Sequence, residues 1–171
     1  MAKLVKWEKK PLPALRVIGR SLTVNFKEMQ SVGSSLPSFW KQCFADRTME
    51  TLDNLSDETL EKAYVGWMGE WDEQQQTFTY LVGVSVAPAT EPPEGFDCRD
   101  IAPCTVAVSW IQGPESEIFK AAHQLSEEAL KDHGCEYDNE GGWSMEVYAC
   151  PRFTTLDADG HRILDYYLPC R

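Results

Sequence analysis

The sequence predicts an α+β fold in which tandem duplicated βαββ units form an antiparallel sheet with two helices packed on one face. Three observations predict it. Apolar residues recur at spacings of three and four in two places, from Pro37 to about residue 50 and again from Ile118 to Leu130. Alternating stretches before and after these helices give the order strand, helix, strand, strand twice, over residues 14–87 and 105–168. Between them, residues 88–103 hold four prolines and a Glu-Gly turn, a density that blocks helix interiors and central strands and so marks a joint.

Residues 14–24 set Leu15, Val17 and Gly19 on one face and Arg16, Ile18 and Arg20 on the other, a first strand followed by a polar, glycine-containing loop. Pro37 opens a helix, since its missing donor is harmless in a first turn, and Phe39, Trp40, Cys43 and Phe44 form its stripe. Residues 53–62 are acidic and aperiodic and read as a connection or a short surface helix. Residues 63–71 and 77–87 pair as a hairpin across the polar loop 72–76. Residues 105–110 alternate as a strand that Gln112-Gly113-Pro114 ends. The second helix carries Ile118, Phe119, Ala122, Leu125, Ala129 and Leu130 as its stripe, an i,i+4 pair from Glu127 to Lys131, and Gly134 just past its end. A strand over 143–149, a turn around 157–160 and a strand over 161–168 complete the second arm.

Composition bounds the function. A net charge of -11 and a pI near 4.7 argue against a phosphate-binding surface and favour cationic ligands. The basic cluster Lys3, Lys6, Lys9 and Lys10 is short, lacks arginine and reads as a solvated leader strand. The longest apolar runs, such as residues 80–86, are too short to span a bilayer, and Pro11 and Pro13 stand where a secretory signal needs an apolar segment. A cytoplasmic protein is expected. Its six cysteines are read as reduced thiols, and neither they nor His123, His133 and His161 have the spacing of a metal site, so no metal and no cofactor are expected.

The chemistry centres on Trp143-Ser-Met-Glu-Val-Tyr148, where alternation puts Ser144, Glu146 and Tyr148 on one strand face. A carboxylate at the floor of an aromatic pocket selects cations or acts as a base. Candidate walls are Tyr64, Trp67, Trp71, Trp110, Trp143, Tyr148 and Phe39, with Trp40 read as core; Tyr64 and Trp67 adjoin Gly66 and Gly69, where a flat ligand has room. If Glu146 and Tyr148 face the helices, then Trp143, Met145 and Val147 face away and need cover, which a homodimer supplies. As catalytic residues, Glu146 with its pKa raised by desolvation activates water, and Tyr148 or Tyr64 protonates the leaving oxygen.

Three pieces, Tyr80-Leu-Val-Gly-Val-Ser-Val ahead of a Pro-Glu-Gly turn, Trp110-Ile-Gln-Gly-Pro, and Met145-Glu-Val-Tyr followed by Asp165-Tyr-Tyr-Leu-Pro, resemble the GyrI-like effector-binding family, also seen attached to AraC-type and MerR-type multidrug-responsive regulators. The resemblance covers residues 15–169. It implies a single domain over 1–171 built of two βαββ repeats, with a pocket between helices and sheet where Glu146 meets cationic, lipophilic ligands. No helix-turn-helix segment precedes it, so a stand-alone member is expected, and such relatives include drug-sequestering proteins, a gyrase inhibitor and hydrolases of cyclopropane-bearing alkylating compounds. The expectation is a binding protein for amphipathic cationic or planar aromatic small molecules, with no direct nucleic acid or membrane partner. Hydrolysis by Glu146 and Tyr148 is the alternative, and a protein-interaction module such as a gyrase inhibitor the second.

Overall fold

The computed structural model describes residues 1–31, 34–55 and 62–171, a mainly antiparallel α+β fold. Its elements are β1 (Lys3–Leu12), β2 (Leu15–Asn25), α1 (Phe26–Ser31), α2 (Leu36–Ala45), α3 (Thr48–Asp53), β3 (Ala63–Asp72), β4 (Thr77–Val86), β5 (Asp97–Ile101), β6 (Cys104–Gly113), α4 (Glu115–Asp132), β7 (Ser144–Ala149) and β8 (Arg162–Pro169). The chain divides into two compact units, Ala14–Ile101 and Ala102–Arg171 with Met1–Pro13. Among the described residues, no helix is long and apolar enough to cross a membrane.

In the unit Ala14–Ile101 the strands run β3-β4-β2-β5, each antiparallel to its neighbour. Alternation puts Ile18, Val24, Tyr80, Val82, Val84 and Val86 on one face, where they close a core with Cys43, Met49 and Leu52 of the helices. The single helix expected from residue 37 to about 50 is two helices. Arg47 takes a left-handed φ of 67° between them, and the Asp46 carboxylate accepts the Thr48 N–H at 3.1 Å, where the second helix begins. The polar loop after the first strand contains the six-residue α1. Of the acidic connection at 53–62, residues 56–61 lie outside the described residues. The proline-rich joint contains β5, which has no proline of its own and pairs with β2 at the edge of the unit. Gly19 and Gly83 lie opposite each other, and a Cβ on Gly19 would come 1.9 Å from the Val82 carbonyl oxygen, so the ladder closes only around a bare backbone.

In the other unit the order is β1-β6-β8-β7, again antiparallel throughout. The lysine-rich leader is an edge strand, β1, paired with β6 along most of its length. Lys6 and Lys10 reach Glu8 at 3.4 and 3.7 Å, and the row of charges discourages edge-to-edge association. Helix α4 packs on β6, β8 and β1 and buries Ile118, Ala122, Ser126, Ala129 and Leu130. Phe119, expected in that stripe, is 37% exposed. Glu127 sits 3.4 Å from His123, one turn back, and not against Lys131. Gly134 ends the helix as its sequence position predicts: φ is 69°, its N–H reaches the Lys131 carbonyl at 3.0 Å and that of Cys135 the Leu130 carbonyl at 2.9 Å, a Schellman closure.

Candidate functional site

Strand β7 pairs with β8 so that Glu146 stands opposite Tyr166, and β8 pairs with β6 so that Tyr166 stands opposite Ser109. Opposed residues share a face. That face is the one under α4, because the Tyr166 hydroxyl lies 2.9 Å from His123 Nδ1. Glu146 is therefore on the helix side with Ser144 and Tyr148, and it is 8% exposed. The Tyr148 hydroxyl donates to Glu146 Oε2.

Around this pair stand three rings from three segments. Tyr148 meets Phe153, from the turn after β7, at 4.8 Å between centroids, and Phe119 of α4 at 6.2 Å; Phe119 and Phe153 are also 6.2 Å apart. Arg162 fixes this turn by donating to the Phe153 carbonyl at 3.0 Å and to Glu115 Oε2 at 3.1 Å. Phe119, the most exposed of the three, opens the cluster to solvent. Neither Phe119 nor Phe153 was expected at the site. Phe119 reads as core from its helical spacing, and Phe153 has no periodic signal in a turn segment.

Below Glu146 the polar groups are well sealed. Tyr166 donates to Ser144 Oγ at 3.2 Å, and burial, reinforced by the Glu146 charge and opposed by the Ser144 hydrogen bond, raises its pKa far above the usual tyrosine range. Tyr137, whose hydroxyl donates to the Trp143 carbonyl at 2.8 Å, is pushed up to about 12 by burial.

The remaining expected residues are dispersed. Trp110 stands opposite Asp165, which stands opposite Val147, so it lies on the other sheet face from Glu146. Two of the protein's own cations already occupy it, Arg152 at 4.5 Å and Lys6 at 4.4 Å from the ring centroid. Arg152 in turn holds the Asp165 carboxylate, whose side chain is 2% exposed, through Nε at 2.7 Å and through a second, shorter bond. Trp143, Met145 and Val147 are buried within the chain at 6, 2 and 2% exposure, so the apolar area that called for a partner copy is already covered. In the unit Ala14–Ile101, Phe39 and Tyr64 pack with Trp40 on the helix side of the core, and Tyr64 donates to Asp53 at 2.7 Å. Trp67 is buried on the opposite face, and its own ring fills the space over Gly69 that was expected to admit a ligand, leaving an added Cβ 2.5 Å from it. Trp71 is 51% exposed at a bulge, against Phe26 and Phe78.

Asp157, Asp159 and His161 bring possible metal ligands within 4.8 Å of one another. They are also the ends of a turn, in which Asp157 Oδ1 accepts the N–H groups of Asp159 and His161, each at 2.9 Å, and these bonds hold its carboxyl below the usual range. Cavities of about 270 Å³ beside Glu28 and Met29 and of about 260 Å³ beside Arg152 and Asp157 do not include Glu146 in their walls.

Comparison with known proteins bears on this arrangement. A search of curated sequences found no match. Among solved structures the chain is similar to SAV2435 bound to tetraphenylphosphonium, with a TM-score of 0.70 at 14% identity over 98% of this chain and 94% of that one. It is similar to an integron cassette protein from Vibrio cholerae, with a TM-score of 0.58 at 11% identity over 99% of each chain. The C-terminal domain of EcmrR gives 0.56 at 14% identity over 97% of each. The model of the GyrI-like small molecule binding domain matches residues 6–171, and the chain belongs to that family.

Proposed function

We propose that this GyrI-like small-molecule binding chain takes amphipathic cationic or planar aromatic compounds, with Glu146 supplying the negative charge and Tyr148, Phe119 and Phe153 the ring faces. The observation that carries the reading is a buried carboxylate beside three mutually touching rings, one of which opens to solvent. A lipophilic cation gains there from both charge and ring quadrupoles, and the net charge of -11 draws it in. The neighbour crystallised with tetraphenylphosphonium supports a ligand of this class. Phe39 and Tyr64 form a second aromatic group within their own unit, while Trp67, Trp71, Trp110 and Trp143 are assigned packing roles. The six free thiols support a reducing, cytoplasmic setting. The matching strand orders, β1-β6-β8-β7 and β5-β2-β4-β3, support descent of the two units from one βαββ ancestor.

Isothermal titration with tetraphenylphosphonium tests the reading. Saturable binding with Kd below about 1 mM, weakened at least tenfold by Glu146→Gln, is expected. No binding, or binding that ignores Glu146→Gln, refutes it.

A further inference from the structure

Four residues, one from each strand of the unit, form a single row beneath α4: Trp7 opposite Ser109, Ser109 opposite Tyr166, and Tyr166 opposite Glu146. Each member carries a polar group; Tyr166 and Glu146 are hydrogen-bonded, whereas Trp7 Nε1 is a buried donor with no partner among the described residues. Helix α4 adds His123 over Tyr166 and the buried Ser126 one turn on, and the hydroxyls of Ser109 and Ser126 have no hydrogen-bond partner among the described residues. His133 stacks on Trp7 at 3.8 Å. The row runs from the carboxylate of the proposed site to an exposed histidine.

The proton arithmetic of that row is constrained. Tyr166 has one proton and two neighbours, His123 Nδ1 at 2.9 Å and Ser144 Oγ at 3.2 Å. When His123 is an imidazolium, its Nδ1–H donates to Tyr166 and its Nε2–H faces Glu127 Oε1 at 3.4 Å, so Tyr166 turns its proton to Ser144, on the strand face of Glu146. When His123 is neutral, Glu127 favours the tautomer with the proton on Nε2, Nδ1 becomes an acceptor, and Tyr166 turns its proton away from Ser144. The groups against His123 are Tyr166 from β8 and Glu127 on its own helix; the charges of Glu146 on β7 and of Tyr137, from the segment after α4, bear on Tyr166, and β1 brings the exposed Lys9 two residues beyond Trp7.

We propose that His123 is a positioning residue for the Glu146 carboxylate, acting through Tyr166 and Ser144, so that its protonation sets the affinity of the site for cations. The proposal rests on the ligand reading above. Protonation places a positive charge on α4 and turns the Tyr166 proton toward Ser144, which shares the strand face of Glu146, and the added charge stabilises the carboxylate without a ligand. Cation affinity is therefore lower on the acid side and higher on the alkaline side.

Tetraphenylphosphonium, whose charge does not titrate, is the probe, and its affinity is followed by calorimetry between about pH 5 and 8, where imidazole ordinarily changes charge. The wild type is expected to bind about threefold to tenfold more tightly at the upper end, with the step absent in His123→Gln and in Tyr166→Phe. A flat wild-type profile, or a step that survives in His123→Gln, overturns the proposal. The second measurement needs no ligand: the carboxyl carbon resonance of Glu146 in the free protein is expected to follow the titration of the His123 ring, and to stop following it in Tyr166→Phe. Loss of phosphonium binding at every pH with that coupling intact refutes the ligand reading alone. Absence of the coupling refutes the relay whether or not the cation binds.

Discussion

The hydroxyl of Tyr148 donates to the carboxylate of Glu146, two residues back along the same strand, and ties the only charged group on that strand face to an aromatic wall. A hydrogen bond to a charged, buried acceptor contributes about 1.5–3 kcal/mol. Tyr148→Phe keeps the ring contacts with Phe153 and Phe119 and removes only the donor. Stability in urea is expected to fall by about that amount, and a change under 0.5 kcal/mol would show that the bond is exchanged for solvent without loss.

Asp165 is the more demanding carboxylate, buried and held in two places by Arg152. Asp165→Ala takes from Arg152, which lies over Trp110, the carboxylate it holds, and is expected to cost about 3–5 kcal/mol, whereas Asp165→Leu combined with Arg152→Met restores most of it. Urea midpoints of the two variants decide between a pair that stabilises and a pair that merely satisfies itself.

The end of α4 offers a cleaner test. Nothing lies within 4 Å of a Cβ added at Gly134, so Gly134→Ala meets no clash, yet φ stays at 69°. The expected loss is about 1 kcal/mol, all of it from the backbone, and Gly134→Asn should recover part. Thermal melts of the three proteins measure it.

These features differ in how far the sequence discloses them. Alternation from Ser144 to Tyr148 is local, so the shared face of Glu146 and Tyr148 is legible without a structure. Which side Trp110 faces depends on the register of β6 against β8, and two-residue periodicity within a strand carries no information about its neighbour. For the same reason β5 escapes notice, and β1, read only as a solvated leader strand, shows nothing of its pairing with β6. Lysines in β1 and the aspartates and flanking prolines of β5 depress the local signal, and partners distant in sequence supply the ladder that makes them strands. The break at Arg47 escapes because the left-handed residue is an arginine, and no glycine or asparagine marks it in the sequence.

Alkaline pH probes the polar row directly. Tyr166 and Tyr137 have folded-state pKa values raised by burial, so above about pH 10 the unfolded chain releases protons that the folded chain keeps. The native state loses stability as pH rises through that window and is unaffected below it. Urea midpoints at pH 9 and 11 are expected to differ more in the wild type than in Tyr166→Phe; equal differences would mean that Tyr166 ionises as freely folded as unfolded.

Binding and turnover ask different things of the Glu146 and Tyr148 pair. Hydrolysis of a strained ring requires the carboxylate to take a proton from water while a second group protonates the departing atom. In the structure the Tyr148 proton is directed at Glu146 itself, which occupies the base with its own candidate acid. A cationic ligand needs no such rearrangement, since the carboxylate can accept from Tyr148 and face a positive charge together. A cyclopropane-bearing alkylating compound incubated with the protein is therefore expected to be recovered unchanged by mass spectrometry, after calorimetry has shown that it binds. A mass increase of one water that disappears in Glu146→Gln would mean that the pair separates on the substrate, and binding without turnover would have to be given up.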